Sequence, residues 1–141
     1  MNRRTLLLTA ACALPAVLAP AVLVTAIFAT PASAATQNAY TAEAFAAAAA
    51  AGKPILLVVE ASWCPTCAKQ RPIVASLQAQ PEFEDLVILT VDFDSQKNVL
   101  KTFGVTQQST LIALRGRTEK DRATGIVSEA DIGALMRKTA A

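Results

Sequence analysis

A short apolar run that leads into a cysteine pair places the strongest constraint on the fold of this chain. Residues 55–59 are continuously apolar, rich in β-branched side chains and preceded by Pro54. A run of this kind is typical of a strand buried on both faces, as in the middle of an α/β sheet. Cys64 and Pro65 follow after a short interval, and proline is favoured at the first position of a helix. The sequence therefore predicts a strand, a short loop and a helix that begins beside Cys64.

The pattern after residue 40 alternates between helices and strands. Helical segments, one capped by Thr41 and another by Ser128, are predicted at residues 41–51, 64–79, 95–103 and 128–138. Strands are predicted at residues 55–59, 86–91, 110–114 and 118–123, the last two joined by a turn at residues 115–117. This order predicts an α/β fold whose central mixed sheet, a βαβ unit plus a ββα unit, is flanked by helices.

Residues 1–34 have the pattern of a secretory signal peptide. Arg3 and Arg4 precede an uncharged apolar stretch at residues 5–28. Ala32 and Ala34 then form the small-x-small pattern of a cleavage site. We therefore expect export of the chain and cleavage after Ala34.

Cleavage would leave a linker at residues 35–40 and a single domain at residues 41–141. The alternative is an uncleaved membrane anchor, because residues 5–28 are long enough to span a bilayer. Both alternatives place the domain outside the cytoplasm, in the periplasm of a bacterium. The arginine pair also resembles a twin-arginine export signal, although two arginines are ordinary in general secretion.

The composition of the domain excludes several classes of function. The chain has no histidine, which excludes Ser-His-Asp triads, Cys-His nucleophile pairs and most catalytic zinc sites. Without Arg3 and Arg4, 11 of the 13 basic residues remain and balance the 11 acidic ones. The basic residues form no long run, so we expect no nucleic-acid partner. With a single cysteine pair and no histidine, we also expect no metal site.

Cys64 and Cys67 are the residues best suited to chemistry. Cys12 lies in the expected signal peptide, so cleavage would leave two cysteines in the domain. An exported domain with two cysteines is expected to encounter oxidising conditions. Side chains three apart on a helix are neighbours, close enough for a Cys64–Cys67 disulfide. The unpaired N–H groups and the dipole at the helix start would stabilise a Cys64 thiolate. Cys64 is thus the predicted nucleophile, and Cys67, further into the helix and expected to be more buried, the resolving thiol.

The chain resembles the thioredoxin superfamily over about residues 40–139. The resemblance rests on the apolar strand before Trp63-Cys64, on Pro72 eight residues after Cys64, and on residues 103–105 and 109–111. It extends to exported thioredoxin-like proteins with a W-C-P-x-C centre. It implies dithiol chemistry on protein thiols and disulfides, without a cofactor. It also implies a substrate-binding surface formed by Trp63, Pro65, Thr66, Gln108, Ser109 and Thr110.

The sequence departs from the family pattern at the position of the cis-proline, which is Ser109 here. A cis bond before a residue other than proline costs about 3–4 kcal/mol, so we expect a trans Gln108–Ser109 bond. The Ser109 hydroxyl could donate a hydrogen bond to a Cys64 thiolate. As a lesser alternative, loss of the proline could expose the thiol pair to metals.

A second departure concerns the buried aspartate that thioredoxins carry six residues before the first cysteine. That position is Val58 here, and Glu60 is the nearest carboxylate in the sequence. Glu60 is therefore a candidate proton relay for Cys67. The alternative is a solvated glutamate at the end of a strand.

We expect a monomeric, exported thiol–disulfide oxidoreductase, with reduction of its substrates slightly favoured. Its redox partner would be a membrane electron donor or acceptor. The alternative is a redox-inactive binding or adaptor module with a static disulfide, which both departures favour. A disulfide that closes so short a loop adds little stability, which argues against a purely structural pair.

Overall fold

The computed structural model describes residues 37–141. The predicted signal peptide, Cys12 and the first residues of the predicted linker lie outside this range. Within it the helices are α1 (Ala42–Ala50), α2 (Pro65–Gln78), α3 (Lys97–Thr102) and α4 (Glu129–Arg137). The strands are β1 (Gln37–Ala39), β2 (Pro54–Glu60), β3 (Val87–Asp92), β4 (Thr110–Arg115) and β5 (Thr118–Thr124).

The strands form one mixed sheet in the order β1-β3-β2-β4-β5. β3 pairs in parallel with both β1 and β2, whereas β4 pairs antiparallel with β2 and β5. This arrangement confirms the predicted βαβ unit followed by a hairpin and a helix. β2 lies at the centre, and its residues from Ile55 to Val59 are at most 3% exposed, as expected for a strand covered on both faces.

Two apolar layers cover the two faces of the sheet. Because side chains alternate along a strand, Leu57 faces one layer and Leu56 the other. The first layer packs residues of α1 and α3 on the sheet, among them Phe45, Leu100, Leu57, Leu89 and Ile112. The second packs residues of α2 and α4, among them Val74, Leu77, Ile132, Met136, Leu56 and Ile88. Packing in the second layer thus fixes α2 against the sheet. The first residue of α2 follows shortly after the end of β2.

The prediction of a linker at residues 35–40 is wrong at residues 37–39, which form β1 at the edge of the sheet. Gln37 pairs with Ile88, and Ala39 pairs with Thr90. All three residues of β1 are exposed. A run so short and exposed carries no periodic pattern, and β3 supplies the pairing partner that defines the strand.

The remaining differences from the sequence prediction are shifts of one or two residues at the ends of helices and strands, and two short turns. α3 begins at Lys97 rather than Ser95, because Asp92 accepts hydrogen bonds from the backbone N–H and the hydroxyl of Ser95 in a turn. Short 3-10 turns at Pro81–Phe83 and Lys138–Ala140 were not predicted. The predicted helix caps at Thr41 and Ser128 are confirmed. No helix in residues 37–141 has the length and apolarity needed to cross a bilayer.

Candidate active site

The cysteine pair lies where the loop after β2 enters α2. Cys64 is the N-cap of α2, and Pro65 is its first residue. The backbone N–H of Cys64 donates to the carbonyl of Ala61 at 3.2 Å. Sγ of Cys64 accepts the backbone N–H of Cys67 at 3.0 Å. The predicted position of Cys64 at a helix start is therefore confirmed, and one of the free N–H groups of that helix already points at its sulfur.

Cys64 and Cys67 form a disulfide, with their Cα atoms 5.3 Å apart. Both cysteines are almost fully buried, with Cys64 2% exposed and Cys67 1% exposed, so the expected difference in burial is in the predicted direction but too small to separate them. Ala61 packs with both cysteines, and the partly buried Phe93 lies against the same cluster. In this oxidised form the difference between the two sulfurs comes from their places on the helix rather than from their exposure.

Ser109 lies directly opposite the disulfide. Its hydroxyl oxygen is 3.1 Å from Sγ of Cys64 and 3.4 Å from Sγ of Cys67. The Gln108–Ser109 bond is trans, as expected, and Ser109 has a φ of 62°. This is the left-handed region, which side chains other than glycine adopt at a cost. The sequence anticipated the contact with Cys64, but neither the contact with Cys67 nor the left-handed backbone.

Gln70 is a buried polar residue of this site that sequence reasoning missed. It is 1% exposed, and its Nε2 donates to the carbonyl of Ser109 at 3.2 Å and to that of Ile126 at 2.9 Å. Gln70 follows Cys67 by three residues, so helical spacing places both side chains on the same face of α2. That spacing was the available signal, since a glutamine on the buried face of a helix needs polar partners.

The other predicted substrate-binding residues lie in two segments, the first residues of α2 and the residues that lead into β4. Pro65 is exposed, whereas Thr66 and Gln108 are half-buried. Thr110 is buried, and its hydroxyl donates to the carbonyl of Gln107 at 2.8 Å and lies 2.8 Å from the hydroxyl of Thr124. Thr110 therefore ties the start of β4 to β5, while Pro65 and Thr66 begin α2.

Trp63 precedes Cys64 and is 57% exposed, as expected for a surface residue. Its Nε1 donates to Oδ2 of Asp94 at 2.8 Å. Asp94 belongs to the loop after β3. The hydrogen bond holds the polar edge of the indole against the protein and leaves apolar ring surface in contact with solvent.

Glu60, the candidate proton relay, is in a salt bridge with Arg71 of α2. Nε of Arg71 lies 2.8 Å from Oε2 of Glu60. A second guanidinium nitrogen of Arg71 donates to the carbonyl of Ala61 at 3.4 Å. Arg71 thus links the end of β2 to α2 beside the cysteine loop, and the role of Glu60 in proton transfer stays a prediction.

Within residues 37–141, no group of three Cys, Asp or Glu residues is placed to hold a metal ion.

The chain matches the family model described as Thioredoxin over residues 36–138. It is 29% identical to Thioredoxin H5 of Oryza sativa subsp. japonica over 55% of this chain and 56% of that protein. It is 29% identical to Thioredoxin of Chlamydia muridarum over 60% of this chain and 80% of that protein. The matched region spans little more than half the length of the first curated relatives.

Solved structures agree with these matches. The crystal structure of Trxlp from Edwardsiella tarda EIB202 is 40% identical, with a TM-score of 0.70 over 72% of this chain and 98% of that one. A mutant thioredoxin from Halobacterium salinarum NRC-1 is 18% identical and shares the fold, with a TM-score of 0.67 over 78% of this chain and 95% of that one. With a match across nearly all of the described residues and a Cys-x-x-Cys pair at the start of α2, the chain belongs to the thioredoxin family.

Proposed function

We propose that this protein is an exported thiol–disulfide oxidoreductase that exchanges disulfides with protein substrates through Cys64 and Cys67. The observation that carries the proposal is the position of Cys64 as the N-cap of α2, with its Sγ 3.0 Å from the N–H of Cys67. Membership of the thioredoxin family supports the same chemistry. The curated relatives are named as thioredoxins, and their activity is extended to this chain as part of the proposal.

The reduced protein would act in two exchange steps. The Cys64 thiolate attacks a substrate disulfide, so that a Cys64–substrate disulfide forms and the other substrate sulfur leaves as a thiolate. The Cys67 thiolate then attacks Sγ of Cys64, which closes the Cys64–Cys67 disulfide and releases the second substrate thiolate. The substrate gains two electrons and the protein loses two. Two protons, released when the cysteines ionise, end on the two substrate thiols.

The start of α2 favours this order of events. The N–H of Cys67 already lies within hydrogen-bond distance of Sγ of Cys64, and it would stabilise the negative charge of a thiolate there. The exposed ring of Trp63 and the neighbouring Pro65 would form the apolar surface on which a protein substrate rests. No cofactor takes part in either step.

We propose that electrons flow from this protein to its substrates. The W-C-P-T-C centre at residues 63–67 resembles that of exported reductants. A reductant in an oxidising compartment must be reduced again, so its partner would be a membrane electron donor that presents a dithiol. Equilibration of the Cys64–Cys67 pair with glutathione gives its potential, and a value well above that of typical reductants would overturn this direction.

Reduction of insulin by dithiothreitol tests the activity. The wild-type chain is expected to accelerate the precipitation of insulin, and the Cys64→Ser/Cys67→Ser double variant is not. If the wild-type chain gives no acceleration, and its reduced Cys64 does not react with iodoacetamide near neutral pH, the oxidoreductase is excluded and the adaptor module is favoured.

Export is tested separately with the N-terminal segment. Residues 1–34 fused to a reporter that is active only outside the cytoplasm should give activity, and N-terminal sequencing of the exported chain should begin at Ala35. A product that begins at Met1 would indicate the membrane anchor instead. Dependence on Arg3 and Arg4, measured with the Arg3→Lys/Arg4→Lys variant, separates the twin-arginine route from general secretion.

A further inference from the structure

We propose that Ser109, held in place by Gln70, stabilises the reduced cysteine pair and so sets the redox equilibrium of the site. This inference deepens the proposed function and rests on it. It assigns a role to the residue that replaces the family's cis-proline, and a positioning role to a buried glutamine that the exchange steps do not use.

The hydroxyl of Ser109 is within reach of both sulfurs. It lies 3.1 Å from Sγ of Cys64 and 3.4 Å from Sγ of Cys67. A disulfide sulfur carries no hydrogen, so the hydroxyl is the donor in this oxidised form, and the sulfur is a weak acceptor. After reduction, a thiolate at either position would be a far stronger acceptor for the same hydroxyl. The hydrogen bond therefore favours the dithiol over the disulfide, whichever sulfur carries the charge.

The backbone of Ser109 is held on both sides, which fixes the hydroxyl. Its N–H donates to the carbonyl of Val59 in β2 at 2.9 Å, and its carbonyl accepts the N–H of Gly125 at 3.0 Å. A serine with a φ of 62° would relax to a more favourable conformation without such restraints. Ser109 as a whole is also only 4% exposed, so water does not compete freely for the hydroxyl.

Gln70 supplies the third restraint on Ser109. Its Nε2 bridges the carbonyls of Ser109 and Ile126, at 3.2 Å and 2.9 Å. Its Oε1 is buried and has no hydrogen-bond partner among residues 37–141. An unpaired buried acceptor lowers the stability of the fold. The presence of Gln70 at this position is therefore better explained by the two carbonyls that its Nε2 holds than by a contribution to stability. We assign Gln70 to positioning Ser109 against the sulfurs.

The test measures two properties of the cysteine pair in the full chain carrying Cys12→Ser: its equilibrium with glutathione, and the pH dependence of Cys64 alkylation by iodoacetamide. Ser109→Ala removes the hydroxyl, and Ser109→Gly removes it while accepting the left-handed backbone. Both should shift the equilibrium about tenfold toward the disulfide, which corresponds to about 30 mV, and should move the alkylation midpoint to higher pH. Thr139→Ala, which removes another buried hydroxyl far along the chain, should change neither property.

Gln70→Met tests the positioning role. It should shift the equilibrium several-fold in the same direction, and should have no further effect in the Ser109→Ala background. A shift of the same size in both backgrounds would show that Gln70 does not act through Ser109. An unchanged equilibrium in both Ser109 variants would overturn the whole inference. Neither result depends on insulin reduction, so failure of the inference is distinguishable from failure of the proposed function.

Discussion

Nε1 of Trp63 donates a 2.8 Å hydrogen bond to Oδ2 of Asp94 and so joins the residue before Cys64 to the loop after β3. Asp94 lies within the turn in which the carboxylate of Asp92 accepts two hydrogen bonds from Ser95. The orientation of the exposed indole thus depends on a loop that the chain reaches 31 residues later. The proposed substrate surface at Trp63 is therefore held by a residue outside the Cys-x-x-Cys motif.

Breaking the Trp63–Asp94 hydrogen bond should weaken substrate binding more than it slows the exchange reaction. Asp94→Ala leaves the indole in place without its anchor, so we expect KM for insulin to rise several-fold while kcat changes little. Trp63 is the chain's one tryptophan, so fluorescence anisotropy reports its mobility directly and should fall in the variant. Asp121→Ala, in exposed strand β5, serves as the control. A fall in kcat at constant KM would contradict a role in binding.

Replacing the resolving thiol should trap the first exchange step. In the Cys67→Ser variant of the chain that also carries Cys12→Ser, Cys64 can still attack a substrate disulfide, but no second thiol is present to release it. We expect a stable disulfide between Cys64 and one insulin chain, visible as a discrete mass increase under non-reducing conditions and lost on treatment with dithiothreitol. The Cys64→Ser variant should trap much less. Equal trapping by both variants would contradict the assignment of Cys64 as the nucleophile.

The sequence was informative where local patterns decide the structure. The continuous apolar run in β2 and the Cys64-Pro65 start of α2 are local features, and both elements lie where they were predicted. β1 was missed because three exposed residues carry no pattern of their own, and their pairing with β3 comes from the assembled sheet. Elements with a strong local preference were therefore predictable, and an edge strand defined by its partner was not.

The site was predictable to the extent that it lies within one segment. Cys64 and Cys67 are neighbours on one helix, so spacing alone brings them together. The contacts of Ser109 with the sulfurs and with Gln70 join residues about 40 positions apart along the chain. The family resemblance supplied the first of these contacts, but the left-handed backbone of Ser109 depends on restraints from three separate segments.

The turn that positions Asp94 should weaken at low pH. The hydroxyl of Ser95 and then its backbone N–H donate hydrogen bonds that lower the pKa of Asp92 from its ordinary value of 3.8. A lowered pKa in the folded state gives stability that is present above the ordinary value and is lost as pH falls through the folded-state value. Ser95→Ala should therefore lower the free energy of unfolding at neutral pH, and the difference from wild type should narrow below pH 3.8. Urea unfolding at several pH values measures this.

The same comparison in a background without the carboxylate gives the control. With Asp92→Asn in both chains, the effect of Ser95→Ala should be independent of pH. A difference that stays constant down to about pH 2 in the unmodified background would show that the Ser95 hydrogen bonds do not act through the charge of Asp92.

The salt bridge between Glu60 and Arg71 favours a structural role for Glu60, which can be tested against the predicted role as a proton relay. Nε of Arg71 lies 2.8 Å from Oε2 of Glu60, so the carboxylate already has a partner that ties the end of β2 to α2. We therefore expect Glu60→Gln to leave the pH dependence of insulin reduction in place. The free energy of unfolding should fall by about 0.2–1 kcal/mol, as for other partly exposed ion pairs. Glu84→Gln, an exposed glutamate outside the site, is the matched control. If the pH profile moves in Glu60→Gln but not in Glu84→Gln, Glu60 is the proton relay and Arg71 must release it during the reaction.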